Sequence, residues 1–169
     1  MAIVKVIIIV DSLKSAINAE KGGAHSILLC QGAADRSGTT PSYGLLKRAC
    51  EHAKSNNGVP AVYAMIRPCR NRYHFNGFNI QVMEADIPIY KKLDCADVLF
   101  GPLTSDERLH EEYRRRLLRA AEGDMDVGFP IDFASLIKDS RQKRGAPQSL
   151  GLGLQEGVLQ GRRKAHGDC

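Results

Sequence analysis

The sequence predicts an α/β fold of the (β/α) barrel type, incomplete, with about five βα units and an irregular C-terminal tail. Three observations predict it. An apolar run from Val4 to Val10, broken only by Lys5, is followed by a helical stretch and at once by a second apolar run, Ser26 to Cys30. Strands that are apolar throughout belong to parallel sheets covered on both faces, and a helix between two of them makes a βαβ unit. The same strand–helix rhythm then repeats along the chain, and right-handed crossovers curl such a sheet in one sense, toward a barrel.

Each element has its own signals. The first strand ends at Asp11-Ser12, either of which can cap a helix beginning at Leu13, and Gly22-Gly23 stops that helix. Gly38-Thr39-Thr40-Pro41 forms a loop after the second strand. Ser42 can cap a helix running to about Lys54, with Leu45, Leu46, Ala49 and Ala53 on one face. Asn56-Asn57-Gly58 is a turn, and Ala61 to Ile66 is the third strand. A polar loop, Arg67 to Asn79, leads to a helix from about Ile80 to Leu93 with Met83, Ile87 and Tyr90 inward. Pro88 lies inside that helix, where it costs about 3 kcal/mol unless the helix kinks. Ala96 to Phe100 is the fourth strand. Asp106 is the predicted cap of a charged helix reaching Ala121, with Leu109, Tyr113, Leu117 and Leu118 as its buried stripe. Met125 to Phe129 is the fifth strand.

The rhythm fails from about Arg141. Residues 1–140 read as one partial barrel domain, and residues 141–169 as a basic, glycine-rich, disordered tail. At 169 residues the chain is short for a closed eight-unit barrel, which needs about 250. Five strands of such a ring leave two unpaired edges and an uncovered interior, so the chain is expected to be either a homo-oligomer through those edges or only marginally stable.

The net charge of +5 resides mostly in the tail. Arg141, Lys143, Arg144, Arg162, Arg163 and Lys164 against Glu156 and Asp168 give +4 there, leaving +1 for the other 140 residues. The folded part therefore has no basic bias, and nucleic acid is not an expected partner. The first apolar run is too short to span a bilayer and lacks a signal-peptide cleavage site, so no membrane partner is expected. Five scattered cysteines without a CxxC motif argue against a disulfide framework and for a reducing compartment, the cytoplasm.

Function in a parallel barrel sits at the carboxyl ends of the strands. That end collects Asp11, Cys30, Arg67, Cys69, His74 and the Gly38–Pro41 loop. Two thiols and an imidazole suit Cu(I), or less selectively Zn(II), so Cys30, Cys69 and His74 are the candidate metal ligands. Cys30 can equally be a small buried hydrophobe, and Cys69 and His74 lie in a loop. Arg67 can clamp an anion or tie neighbouring strands, and the loop can present the Thr39 and Thr40 N–H groups to an anion. Asp11 can point into the mouth, but a helix N-cap explains it with less assumption. Cys50 reads as helix packing, and Cys95 and Cys169 have no assigned role. No paired carboxylates, nucleophile–base pair or HExxH motif stands near this end.

Four stretches, VDSLKSAINAEKGGA, a strand ending in ILLC, GTTPSYGLL and AVYAMIRP, closely resemble the CutC copper-homeostasis family, a (β/α)8, TIM-barrel-type family. The resemblance is clear over residues 4–105, faint over 106–133 and absent beyond. It implies cytoplasmic copper handling, with Cys30 on a family cysteine proposed there as a copper ligand. It also implies losses: the family has glutamate and cysteine where Ile7 and Ile9 stand, and glutamate at Leu28. The arginine-glycine-glycine after MIRP is Cys69-Arg70-Asn71 here, and a histidine and arginine of strand five fall on Pro130 and Ile131. The alternatives are a degenerate or truncated member without a working site, and a TIM-barrel enzyme acting on a small anionic substrate.

Overall fold

The structure, a computed structural model, describes residues 6–33, 38–70, 73–121 and 127–128. Strands and helices alternate in chain order: β1 (Ile7–Val10), α1 (Leu13–Lys21), β2 (Ser26–Leu29), α2 (Tyr43–Ser55), β3 (Ala61–Met65), α3 (Gly77–Lys91), β4 (Asp97–Leu99), α4 (Glu111–Ala120) and β5 (Val127–Gly128). All five strands are parallel and lie in the order β1-β2-β3-β4-β5. Among the described residues the sheet is open, with β1 and β5 at its edges. The α/β parallel architecture expected from the sequence is therefore present, and the ring is not closed.

Register sets which side chains share a face. Ile7 pairs with Ser26, Ser26 with Ala61, and Tyr63 with Asp97. Side chains alternate along a strand, so Val10, Ile27, Leu29, Val62, Ala64 and Val98 point to the helix side. There they meet Ala16 and Ala19 of α1, Leu46, Ala49 and Ala53 of α2, Ile80, Met83 and Ile87 of α3, and Leu117 of α4. Each fully buried Leu or Ile contributes about 1.5–3 kcal/mol. The opposite, concave face carries Leu28, Cys30, Met65 and Leu99, with Ile7, Ile9 and Tyr63 packed on them half-buried.

Most helix boundaries follow their capping residues. Ser12, not Asp11, caps α1, its hydroxyl accepting the Ser15 N–H at 3.2 Å, and Gly23 (φ +80°) turns the chain out in a conformation that favours glycine. Ser42 caps α2 as expected. Helix α3 begins at Gly77 rather than near Ile80, because Asn76 and Asn79 form a reciprocal capping box that extends it by most of a turn. It runs on through Pro88.

Helix α4 departs furthest from expectation. Its cap is His110, whose Nδ1 accepts the Tyr113 N–H and whose ring stacks on Tyr113 at 3.8 Å. Asp106 instead accepts the Thr104 hydroxyl in a preceding turn, at 2.5 Å. Leu109 belongs to a separate small cluster with Tyr73 and Leu103. No helix among the described residues is long and apolar enough to cross a membrane. Residues 129–169, with Pro130, Ile131, Cys169 and the 141–169 tail, lie outside the described residues.

Candidate functional site

The carboxyl ends of β2 and β3 meet the loop that follows β2. Cys30 is the residue after β2, and the strand alternation turns it onto the concave face, where it is 0% exposed beside Met65. Gly38 folds back over it. A methyl group built on Gly38 would stand 2.6 Å from Cys30 Sγ and 3.5 Å from Met65 Sδ. A side chain there would force Cys30 to shift, so the close approach of the loop to Cys30 requires glycine.

The loop is tied down on both sides. Thr39 and Gln31 exchange backbone hydrogen bonds, each 2.9 Å. Thr40 N–H donates to the Arg67 carbonyl at 3.0 Å, and Arg67 N–H donates to Thr40 Oγ1 at 2.9 Å. From below, the Tyr90 hydroxyl on α3 donates to the Pro41 carbonyl at 2.5 Å. Both threonine amides are thus committed to carbonyls, which corrects the expectation that they are available to an anion.

Arg67 follows β3 by two residues and is 1% exposed. Its Nε donates to the Gly38 carbonyl at 2.5 Å, and Nη1 donates to the Tyr73 hydroxyl at 2.8 Å. The guanidinium also lies 5.1 Å from the Tyr73 ring centroid, a cation–π distance. Of its two expected roles, these contacts are of the tying kind, and they join loops. Asp11 reaches across the same end, its carboxylate accepting the Ala33 N–H at 3.2 Å.

The three expected metal ligands are not assembled: among the described residues no group of three or more His, Cys, Asp or Glu side chains could hold a metal ion. Cys69 is half-buried, its Sγ accepting from Asn79 Nδ2 at 3.6 Å near the start of α3. His74 is exposed and forms an isolated parallel bridge with Leu103. Cys69 and His74 thus have contacts of their own in the segment between β3 and α3, and form no three-ligand group with Cys30. Cys50 and Cys95 are buried on the helix side. Burial pushes the Cys50 thiol up to about 11 and the Cys95 thiol to about 12, so both are protonated at neutral pH.

Met65 and Tyr73 are the parts of this arrangement that the sequence reading misses; the Gly38–Pro41 loop is placed at this end, but not its packing over Cys30. Met65 is two residues before Arg67, so period-two alternation is enough to place it on the concave face. Tyr73 sits in a loop without periodicity and carries no such signal.

The comparisons with known proteins agree on one family. The CutC family model matches residues 4–162, so the likeness continues well past residue 133, where the sequence reading ends it. A copper homeostasis protein cutC homolog of Homo sapiens is 41% identical over 103 residues, 61% of this chain and 36% of the relative. A family protein CutC of Photobacterium profundum is 33% identical over 157 residues, 90% of this chain and 61% of the relative. The chain therefore spans less than two thirds of the length of these relatives. The crystal structure of CutC from Streptococcus agalactiae superposes with a TM-score of 0.74 at 27% identity, covering 84% of this chain and 65% of the other. On this family match and this shared architecture, the chain belongs to the CutC family.

Proposed function

We propose that the chain takes part in copper handling, binding Cu(I) as cargo at the concave mouth with the Cys30 thiolate as anchor and the Met65 thioether beside it. The observation that carries this reading is the placement of Cys30 and Met65 in one buried cluster on the concave face, with Gly38 packed over Cys30. Thiolate and thioether are the soft ligands that select Cu(I) over harder divalent ions. The relatives' names supply the copper context, and the scattered cysteines favour a reducing compartment, the cytoplasm. The small-anion enzyme reading has less support, because the Thr39 and Thr40 amides already serve backbone carbonyls.

The test is anaerobic Cu(I) titration against a chromogenic chelator. Cys30→Ser is expected to lose the site, and Met65→Leu to weaken it by about tenfold, the equivalent of 1.4 kcal/mol. Retention of full stoichiometry and affinity by Cys30→Ser overturns the reading.

A further inference from the structure

We infer that the outer face of α3 is a two-fold docking surface for a second copy of this chain, the two α3 helices packing antiparallel. The inference does not depend on the copper reading.

Helix α3 is apolar on two opposite faces. Ile80, Met83, Ile87 and Tyr90 are buried in the core beneath it. On the far side Phe78, Val82, Ala85 and Ile89 are all exposed, Phe78 at 77%, Val82 at 51% and Ile89 at 44%. At 3.6 residues per turn these four fall within an arc of about 60°. A helix that is apolar all round is one that is covered all round. The neighbouring helices leave this stripe bare. Helix α4 meets α3 on its flank, where Arg116 holds Glu84, and α2 turns Lys47, Arg48, Glu51 and Lys54 outward.

Two features select a second copy as the occupant. The stripe is spaced four, three and four residues apart, the repeat at which one helix seats its side chains between those of another. Set antiparallel about an axis between Val82 and Ala85, it complements itself. Phe78 lies against Ile89 of the second copy and Val82 against its Ala85, each contact made twice. Charge agrees with that axis. The Glu84–Arg116 pair sets the middle of α4 level with the middle of α3, so the first half of α4 comes opposite the second half of its copy. The exposed residues there are Glu112 and Arg119, and Glu112 faces Arg119 of the second copy at the rim.

The area sets the strength. An aromatic side chain alone buries about 150–250 Å². With its flanks Gln81, Pro88 and Lys92, the stripe offers roughly 500 Å² per copy, so the total is at the lower end of specific interfaces. The dimer is therefore weak and concentration-dependent. Helix α3 packs on β4, inside the sheet, so this surface is separate from the β1 and β5 edges.

The experiment is sedimentation velocity of the full, reduced chain from micromolar to several hundred micromolar, with circular dichroism confirming that each variant is folded. The wild type is expected to pass from monomer to dimer within that range. Val82→Glu, at a site exposed in the monomer, buries an unpaired carboxylate in the seam and is expected to raise the dissociation constant at least about a hundredfold. Ile89→Glu is expected to act in the same way and decides the matter if Val82→Glu does not fold. Glu112→Arg is expected to raise the constant about threefold, and Glu112→Arg combined with Arg119→Glu to restore it. A chain that stays monomeric throughout overturns the inference. So does a dimer that survives both seam variants, which would move the contact to the sheet edges. A dimer broken by the seam variants, but not restored by the double charge reversal, overturns the antiparallel arrangement.

Discussion

The two faces of the sheet are built from the same strands and do different things. On the helix side, Ile27, Leu29, Val62, Ala64 and Val98 meet four helices and form a continuous core. On the concave side, apolar residues fill the base while Cys30, Met65 and Arg67 occupy alternating positions at the top. One face is filled by volume and the other is organised by specific contacts. The helix face should therefore respond to any loss of bulk, and the concave top to changes of shape or donor that leave bulk almost intact.

The largest expected effect is on the helix side. Phe100 is fully buried there, and Phe100→Ala should cost about 3–5 kcal/mol through lost burial and the cavity left behind. Urea unfolding followed by circular dichroism measures it, and a cost near zero would mean that the helix face is not the stabilising core. At the concave top a single methyl group is the sharper probe. Gly38→Ala drives a Cβ to 2.6 Å from Cys30 Sγ and should destabilise by about 1–3 kcal/mol. Adding Cys30→Ala removes the clashing atom, so the double variant should recover most of that loss. Additive costs in the double-mutant cycle would show that the two residues do not touch.

The smallest expected effect lies between helices. Arg116 donates two 2.8 Å bonds to Glu84 and holds its carboxyl below the usual carboxylate range. A depressed acid contributes stability that is present above its unfolded value, about 4.3, and is lost as pH falls through the lower folded value. Both side chains are partly exposed, so the contribution is under about 1 kcal/mol. Glu84→Gln should be slightly less stable at pH 7, with the gap to the wild type closing on acidification. A gap that widens toward pH 3 would contradict the assignment.

Much of this contrast is legible in the sequence. Apolar runs place all four leading strands within a few residues of their observed bounds, because a strand covered on both faces leaves no polar alternation to misread. Boundaries fail where a cap is unusual: Asn76 with Asn79 starts α3 early, and His110 starts α4 late in place of Asp106. At the mouth, Cys30 and Arg67 are readable as strand-end residues. Met65 is readable as a concave-face residue by alternation with Arg67, but not as a neighbour of Cys30, since a methionine in an apolar strand looks like ordinary core. The Arg67–Tyr73 contact is set by where two loops come to rest, which local patterning does not encode. Cys69 and His74 are drawn in by their chemistry and their place after β3, and they do not assemble with Cys30 into a three-ligand group.

The linear strand order also bears on how the chain assembles. Each strand pairs with the one made just before it, across separations from 19 residues (Ile7 to Ser26) to 35 (Ser26 to Ala61). No described strand pairing waits for a distant segment, so each βα unit can dock on its predecessor soon after synthesis, and loop-closure entropy stays nearly the same at every addition. Growth by such increments is directional. β1 and β2 form a template that β3 and β4 extend, and damage to an early unit, such as Ile27 or Leu29, should slow everything that follows it more than equal damage to β4.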